Sequence, residues 1–373
     1  MKIALIYDKV NKFGGAERVL LSLHQVWPNA PLYTAVYDKK KAKWADAFEV
    51  KTSFLDRLPF SSSKHELFPV LTAYAFESFN FDKFDVVISV SSADAKSIIT
   101  KPQTLHICYC LTPTRYLWSG YDDYLKEPGM GTFNPVARFV MKVTSPSFRR
   151  WDYIASQRPD KYIAISKAVA NRIKKYYGKE SEIIFPPVKT DIFRIEKKIK
   201  DKGDYFLIVS RLVPYKGIDY AIRVFNQLGW KLKIIGDGID EKRLKNIAGK
   251  NIDFISSNLT DEKLCCYYQK SIALIFPGEE DFGLTSVEAQ ACGKPVVGLN
   301  AGGLAETVIP GLTGELYDHK DERNLISALS RFSQKKYLPS YCRENALRFS
   351  QSVFKENIKK KVYQWWKEKI SRM

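Results

Sequence analysis

Two glutamates at the start of a predicted helix are the residues of this chain that most clearly suggest chemistry. Glu280 and Glu288 have seven residues between them. The apolar run before them, 272–276, predicts a buried parallel strand, and apolar residues after Glu280 recur at helical spacings. Backbone N–H groups at such a helix start can bind an anion, and here they belong to Phe282, Gly283 and Leu284. The segment 277–306 therefore predicts an anion site beside two carboxylates, which either form an acid–base pair or hold hydroxyl groups.

Strand and helix patterns alternate along the first half of the chain. The candidate strands are 2–7, 31–37, 84–92, 104–111 and 161–166. This alternation predicts a parallel sheet with helices on both faces. Pro186 and Pro187 can continue neither a strand nor a helix, so a domain boundary is expected there.

After the two prolines the alternation restarts. Strands are predicted at 204–212, 231–238, 252–256, 272–278 and 294–300, with a helix over 217–228. We therefore expect two doubly wound α/β domains, 1–187 and 188–350. The remaining segment, 351–373, predicts a basic helix that packs back across the first domain.

The composition is that of a globular protein with an excess of positive charge. Of 373 residues, 45% are hydrophobic and 27% are charged, and the net charge is +18. Such a charge indicates attraction to nucleic acid, an acidic membrane face or phosphorylated substrates. No apolar run approaches the roughly 20 residues of a membrane span. The six cysteines lack the spacing of a zinc site, so we expect buried thiols in a cytoplasmic protein.

A pair of glycines, Gly14 and Gly15, stands between the first strand and the first helix. Glycines at this point permit the backbone to approach a phosphate or a sugar closely. The full G-x-G-x-x-G fingerprint is absent, so this pattern is a weak signal by itself.

Four blocks in the second half of the chain carry a family resemblance. They are SRLVPYKG (210–217), EDFGLTSVE (280–288), ACGKPVV (291–297) and AGGLAE (301–306). In this order they resemble the donor-binding half of the retaining glycosyltransferases of family 4. The resemblance implies the GT-B fold, in which two Rossmann-like doubly wound domains face each other across a deep cleft.

Three further segments narrow the resemblance. FGGAERV near the start, SQRPDKYIAISKAVANRI (156–173) and FPPVKTDIF (185–193) are similar to bacterial mannosyltransferases that build O-antigen and related polysaccharides. The implied reaction moves a hexose, most simply mannose from GDP-mannose, to a lipid-linked or saccharide acceptor.

The resemblance also assigns roles to residues. Arg211 and Lys216 match the pair that binds the donor diphosphate, whose developing charge must be stabilised as it leaves. With Glu280, which would contact the donor sugar, they form the expected catalytic set, while Glu288 would accept hydrogen bonds from the ribose. Further donor contacts are implied for Gly14, Gly15, Gly236, Asp237, Gly238, Phe282, Gly283 and Leu284. As alternatives, Arg211 and Lys216 are solvated loop cations, and Glu288 lies on an exposed helix face. Glu280 is then a loop acid beside Glu279 and Asp281.

No Asp-x-Asp pair occurs in this chain. Glycosyltransferases of the other common fold use such a pair to hold a divalent metal against the diphosphate. We therefore expect no metal and no cofactor, with the nucleotide sugar as substrate. In the usual account of the family, the acceptor attacks from the face on which the diphosphate leaves, and a phosphate oxygen takes its proton.

The chain departs from the family pattern at one position. Many related enzymes have a histidine before Thr-Pro in the segment written here as CYCLTPTRYLW, and this chain has Leu111. Leucine neither donates nor accepts a hydrogen bond. Either the role is dispensable, or Thr112 or Arg115 assumes it on the acceptor side, or activity is low or absent. His106 is a weak substitute, because an odd offset of five places it on the opposite face of an extended strand.

The segment 135–151 suggests a use for the positive charge. It mixes apolar residues with four cations, Arg138, Lys142, Arg149 and Arg150. Such a basic amphipathic helix suits an anionic lipid surface, although a solvated basic face is the alternative. We expect peripheral association with the inner face of the cell membrane.

Two other function classes stay open. A nucleic-acid-binding protein is favoured only by the net charge, since no zinc finger or RNP-type block is present. A non-catalytic sugar-nucleotide-binding protein or a GT-B epimerase is favoured by Leu111.

Overall fold

The structure of the protein is a computed structural model that describes residues 1–58, 69–126, 131, 134–196 and 203–372. The chain divides into two compact units. The first comprises Met1–Phe185 with Phe354–Met373, and the second comprises Pro186–Val353. The division falls at the two prolines, close to the expected boundary after residue 187.

The first unit is built on a seven-stranded parallel sheet. Its strands are β1 (Ile3–Tyr7), β2 (Leu32–Thr34), β3 (Val50–Thr52), β4 (Val86–Ser91), β5 (Leu105–Cys110), β6 (Lys161–Ala164) and β7 (Glu182–Ile183). The order across the sheet is β3-β2-β1-β4-β5-β6-β7. Strands β1, β4 and β5 are buried along their whole length, because helices cover both faces of a parallel sheet. The direction of winding reverses between β1 and β4.

Helices connect these strands. They are α1 (Gly15–Val26), α2 (Pro69–Glu77), α3 (Tyr121–Lys126), α4 (Asn134–Ser156) and α5 (Lys167–Tyr177), with short 3₁₀ helices at Lys43–Ala47, Phe54–Arg57 and Ala95–Ser97. Local sequence sets the ends of α5. The Ser166 side chain accepts a hydrogen bond from the Val169 N–H, and Gly178 ends the helix with a φ of 66°, a backbone conformation that favours glycine.

The second unit is built on a six-stranded parallel sheet. Its strands are β8 (Tyr205–Val209), β9 (Lys231–Ile235), β10 (Ile252–Ile255), β11 (Leu274–Phe276), β12 (Val296–Leu299) and β13 (Gly314–Tyr317). The order across the sheet is β10-β9-β8-β11-β12-β13, so the winding reverses between β8 and β11. Each unit therefore has the doubly wound arrangement expected from the sequence.

Eight helices of the described chain follow β7. They are α6 (Ile218–Leu228), α7 (Glu241–Ile247), α8 (Asp261–Lys270), α9 (Leu284–Ala291), α10 (Leu304–Thr307), α11 (Glu322–Ser333), α12 (Pro339–Leu347) and α13 (Gln351–Ile370), and a 3₁₀ helix covers Pro214–Lys216. Phe225 of α6 and Leu325 of α11 pack in one core cluster with Ile234 of the sheet. Within the described ranges, no helix is both long enough and apolar enough to cross a membrane.

The ten predicted strands are confirmed, and three further strands were missed. These are β3, β7 and β13, which have between two and four residues each. Their sequences, VKT, EI and GELY, contain no run of apolar residues that would mark a strand. In β13, a side chain at Gly314 would approach the Val296 carbonyl oxygen to 1.9 Å. Glycine usually indicates a turn, but Gly314 lies in a strand, where the lack of a side chain permits close pairing with β12.

The C-terminal helix α13 packs mainly on the first unit. The Phe354 ring lies 5.9 Å from that of Tyr109, and Lys369 Nζ is 2.8 Å from the Asp160 carboxylate. Trp365 is buried there. One face of α13, formed by Phe354, Ile358, Val362 and Trp365, is therefore buried.

A buried ion pair anchors α4 to the loops at the carboxyl ends of β4 and β5. Lys96 Nζ is 2.6 Å from Asp152 Oδ1, and both side chains are almost inaccessible. Thr114 Oγ1 and Trp118 Nε1 donate hydrogen bonds to the same carboxylate, at 2.6 and 2.7 Å. Burial alone would lower the pKa of Lys96, but the Asp152 carboxylate raises it above its ordinary value. Lys96 therefore keeps its positive charge inside the first unit.

We expect Asp152→Asn to lower the free energy of unfolding by about 3–5 kcal/mol, because it leaves the Lys96 ammonium buried without a counter-charge. Urea denaturation followed by circular dichroism measures this change. Glu180→Gln is the control, since Glu180 pairs with Lys174 on an exposed surface and should change stability by less than about 0.5 kcal/mol. Equal effects of the two substitutions would contradict this account of α4.

Candidate active site

The expected catalytic residues of the second unit lie where the winding of its sheet reverses. Arg211 follows β8, Lys216 ends the 3₁₀ helix after it, and Glu280 follows β11. Strands β8 and β11 are neighbours in the sheet. In doubly wound sheets, ligands bind beyond the carboxyl ends of the strands at this reversal.

Lys216 and Glu280 form an ion pair between Nζ and Oε1, with side chains 4% and 36% exposed. Glycine at position 278 makes the close approach possible, because a Cβ there would lie 2.6 Å from the Lys216 carbonyl oxygen. The alternative of a solvated loop cation is therefore wrong for Lys216. Glu280 holds one carboxylate oxygen against a buried ammonium.

Arg211 differs from Lys216 in its exposure. It is exposed, and its Nη2 donates a hydrogen bond of 2.8 Å to the Tyr215 hydroxyl. Lys216 Nζ lies 4.6 Å from the centre of the same Tyr215 ring. The two cations therefore share one aromatic side chain, and the guanidinium group has an open side toward solvent.

Two buried tyrosines and Gly303 hold the loop that carries Glu280. The Tyr220 hydroxyl donates to the Pro277 carbonyl oxygen and is 2.7 Å from the Tyr317 hydroxyl. The Gly303 N–H donates to the Glu280 carbonyl oxygen at 2.8 Å, and a Cβ at Gly303 would lie 2.2 Å from the Phe282 Cα. The segment 301–303 therefore packs directly against the loop that carries Glu280.

Glu288 lies in α9 and is 3% exposed. Its Oε2 accepts a hydrogen bond of 2.9 Å from the Tyr268 hydroxyl of α8. The alternative of an exposed helix face is therefore wrong. The helix begins after Gly283, whose φ of 84° is in the left-handed region. Phe282 is buried against Phe349, with ring centroids 5.5 Å apart, so its side chain fixes the direction in which the chain enters α9.

The turn of Gly236, Asp237 and Gly238 packs against the backbone that leads into Arg211. A Cβ at Gly236 would lie 1.9 Å from the Ser210 carbonyl oxygen, and one at Gly238 would lie 2.1 Å from that of Leu212. Asp237 accepts a hydrogen bond of 3.3 Å from the Ser257 N–H. The structure thus brings this turn to the carboxyl end of β8, with the Asp237 carboxylate already bound by the loop after β10.

The remaining predicted residues belong to the first unit. Gly14 precedes α1 in an extended conformation that any residue can adopt, and Gly15 is the first residue of the helix. Glu17, which the sequence reasoning missed, is buried beside them and accepts a hydrogen bond of 2.5 Å from the Tyr7 hydroxyl. Burial raises the pKa of the Glu17 carboxyl, and the hydrogen bond from Tyr7 opposes the shift.

Thr112 and Arg115 follow β5. Thr112 is buried, and within the described residues its Oγ1 has no hydrogen-bond partner. Arg115 is half-buried. His106 lies inside β5, where its Nε2 is 2.9 Å from Ser89 Oγ and burial lowers its pKa to about 3. A buried neutral imidazole within the sheet cannot replace the side chain missing at Leu111.

Asp94, three residues beyond the end of β4, is a second residue that sequence reasoning missed. The neighbouring Asp8 carboxylate is bound by the Ser92 and Ala95 N–H groups, each at 2.7 Å. Within the described residues, no group of the protein donates a hydrogen bond to the Asp94 carboxylate. Part of the Asp94 surface is open, yet protein surrounds the carboxyl group densely. This burial raises its pKa to about 7, with a further rise from Asp8 and Asp152 and a decrease from Lys96.

We expect Asp94→Asn to raise the melting temperature at pH 8 and to change it much less near pH 5. The unfolded carboxyl loses its proton near pH 4, whereas the folded one keeps it up to about pH 7. The wild-type protein therefore loses stability between these values, and the neutral amide avoids that loss. The gain at pH 8 should be about 1–3 kcal/mol, since solvent screens part of the effect.

Differential scanning calorimetry between pH 5 and 8 tests this expectation. Asp122→Asn, on the exposed surface of α3, is the control and should show no such pH dependence. A stability difference for Asp94→Asn that is the same at both pH values would refute a raised pKa.

Residues 189–349 match the family model of glycosyl transferases group 1. An uncharacterized glycosyltransferase from Methanocaldococcus jannaschii is 30% identical over 203 residues, which are 52% of this chain and 56% of that protein. A D-inositol 3-phosphate glycosyltransferase from Acidothermus cellulolyticus is 27% identical over 202 residues, with 46% and 45% covered. The chain thus spans about half the length of the curated relatives it matches.

Solved structures show the same fold over nearly the whole chain. The HepE protein of Anabaena in complex with UDP has a TM-score of 0.71 at 16% identity, and covers 98% of this chain and 100% of its own. At such low identity the likeness establishes the fold, which is the two-domain Rossmann-like fold class of GT-B glycosyltransferases. The match over residues 189–349 relates this part of the chain to glycosyl transferases group 1, and the likeness to solved structures establishes the fold alone.

Proposed function

We propose that this protein is a retaining glycosyltransferase that moves a hexose from a nucleotide sugar to a lipid-linked or saccharide acceptor. The observation that carries the proposal is the ion pair of buried Lys216 with half-buried Glu280, beside Arg211 at the ends of β8 and β11. It lies in the segment that matches glycosyl transferases group 1. A leaving diphosphate gains negative charge as the glycosidic bond breaks, and preorganised cations stabilise that charge.

The three residues would divide the work of transfer. Arg211 would grip two phosphate oxygens with its exposed guanidinium group, while Lys216 supplies a compact charge. Glu280 keeps the buried ammonium in place and would accept a hydrogen bond from a sugar hydroxyl. The acceptor oxygen bonds to the anomeric carbon as the carbon–oxygen bond to the diphosphate breaks. A leaving phosphate oxygen takes the acceptor proton, so neither a protein nucleophile nor a metal is required.

Within this class we propose GDP-mannose as the donor. We also propose that the reaction contributes to the synthesis of a polysaccharide of the O-antigen type. The similarity of segments 156–173 and 185–193 to bacterial mannosyltransferases supports mannose. The structure of HepE holds UDP, so UDP-sugars are the competing donors. A lipid-linked acceptor would place the enzyme in the cytoplasm, in peripheral contact with the inner face of the cell membrane.

A non-catalytic sugar-nucleotide-binding protein, or a GT-B epimerase, is the second candidate. Leu111 favours it, because no hydrogen-bonding side chain occupies that position. Incubation with GDP-mannose and a polyisoprenyl diphosphate-linked acceptor, followed by mass spectrometry, separates the two. A product heavier by one hexose supports transfer, and an altered nucleotide sugar without transfer supports epimerisation.

We expect a nucleotide sugar to stabilise the protein against heat, with GDP-mannose giving the largest shift in a panel of GDP-, UDP- and ADP-sugars. A ligand at 100 times its Kd adds about 2.7 kcal/mol of stability. Differential scanning fluorimetry measures the shift. A larger shift with a UDP-sugar would identify that sugar nucleotide as the donor instead of GDP-mannose. No shift with any member of the panel would count against the proposed function.

Two conservative substitutions should separate donor binding from transfer. Glu288→Gln should raise the Kd for the donor about tenfold, because a charged hydrogen bond to the ribose is weakened. Glu280→Gln should lower kcat about a hundredfold with a smaller change in Kd, since Lys216 loses its partner but keeps its attraction for phosphate. Isothermal titration calorimetry and steady-state kinetics give the two constants.

Glu241→Gln is the matched control, because Glu241 pairs with Lys245 on the exposed face of α7. It should leave both constants unchanged. A normal transfer rate for the Glu280 variant would remove this residue from the mechanism.

A further inference from the structure

The first half of α4 makes no contribution to the core of the first unit. Of the described residues 134–144, none is buried, and the buried residues of the helix are Ser145, Asp152, Ala155 and Ser156. The second half is anchored through the Asp152–Lys96 pair. The first half of α4 therefore lies on the surface of the unit and does not pack into its core.

This projecting half carries a stripe of exposed apolar side chains. Val136, Phe139, Val140 and Val143 are 61%, 68%, 50% and 61% exposed. Their spacings of three, four and seven place them on one face of the helix over two turns. A soluble helix normally turns such a face toward the core, so packing of the first unit does not explain it. A contiguous exposed apolar surface of this kind marks an interaction site.

The charges along α4 are all positive at this surface. Between residues 134 and 151 the helix has four cations and no carboxylate. Lys142 and Arg150 are exposed, and Arg150 is seven residues beyond Val143 on the same face. Arg138 holds the helix to the end of α3 through the Lys126 carbonyl oxygen at 2.9 Å. The carboxylates closest along the chain before α4 are Glu127, Asp123 and Asp122.

Arg149 does not belong to this surface, which corrects the grouping expected from the sequence. Its Nε donates a hydrogen bond of 2.6 Å to the Leu117 carbonyl oxygen, and its guanidinium carbon lies 4.4 Å from the centre of the Tyr121 ring. The cations that can meet an anionic partner directly are therefore Lys142 and Arg150.

We infer that the stripe of Val136, Phe139, Val140 and Val143 inserts into the headgroup region of an anionic bilayer, where Lys142 and Arg150 contact lipid phosphates. An interfacial helix needs an apolar face and flanking cations, and α4 has both on a rigidly anchored scaffold. This inference deepens the membrane association included in the proposed function, and it concerns a surface of the first unit alone.

A second copy of the chain is the competing occupant of the apolar stripe. Two copies that paired through this face would each bring cations to the contact and no carboxylate from residues 134–151, and like charges oppose such pairing. The positive charge that disfavours self-association favours an anionic lipid surface. Charge therefore decides between the two occupants.

Co-sedimentation of the full-length protein with vesicles of phosphatidylcholine, with and without phosphatidylglycerol, tests the inference. We expect binding to the anionic vesicles and little to the neutral ones. Phe139→Ser/Val143→Ser should weaken that binding at least tenfold without lowering the melting temperature. The control Leu338→Ser/Tyr341→Ser, which removes exposed apolar side chains of the second unit, should bind as the wild-type protein does.

Charge is tested by a second pair of variants. Lys142→Glu/Arg150→Glu should weaken binding to anionic vesicles more than Lys359→Glu/Lys360→Glu, which makes the same change in net charge on the exposed side of α13. If both double variants lost the same amount of vesicle binding, the binding would depend on net charge alone. That result would overturn the assignment of this surface. So would equal binding to both kinds of vesicle, or sedimentation-velocity dimers that Phe139→Ser/Val143→Ser dissociates. None of these readouts depends on glycosyl transfer, so their outcome is separate from that of the donor panel.

Discussion

The ion pair between Lys216 and Glu280 is the interaction on which the candidate active site depends. An ammonium group that is almost inaccessible to water is costly unless a carboxylate lies against it. The pair joins the loop after β8 to the loop after β11, at the reversal of winding in the sheet. Gly278 and Gly303 let the backbones of these loops approach closely. Steric and electrostatic constraints therefore select the same arrangement.

The first unit uses a similar device at its own strand ends. There the Lys96–Asp152 pair ties α4 to the loops after β4 and β5. Asp94 and Thr112 lie in these loops and keep polar groups that other described residues of the protein do not satisfy. The charge pair fixes these loops, while the Thr112 hydroxyl is an exception to the rule that buried polar groups are hydrogen-bonded within the protein.

The structure shows which of the positively charged side chains are available to a partner. Many lysines and arginines are paired or stacked, as Arg149 is with Tyr121. The cations of α4 that stay exposed border an apolar stripe which the core does not use. Attraction to an anionic surface thus comes from a few placed residues as well as from the total of +18.

Local patterns were enough to predict the alternation of strands and helices, the break at Pro186 and Pro187, and the helix after Gly283, because these depend on residues close together in the chain. The family blocks also identified Arg211, Lys216, Glu280 and Glu288 as candidates. Which of them touch required the tertiary structure: Lys216 meets Glu280 from a different strand end, and Glu288 meets Tyr268 from a different helix. Asp94, Glu17 and the short strands were missed for the same reason, since burial and strand pairing depend on residues distant in sequence.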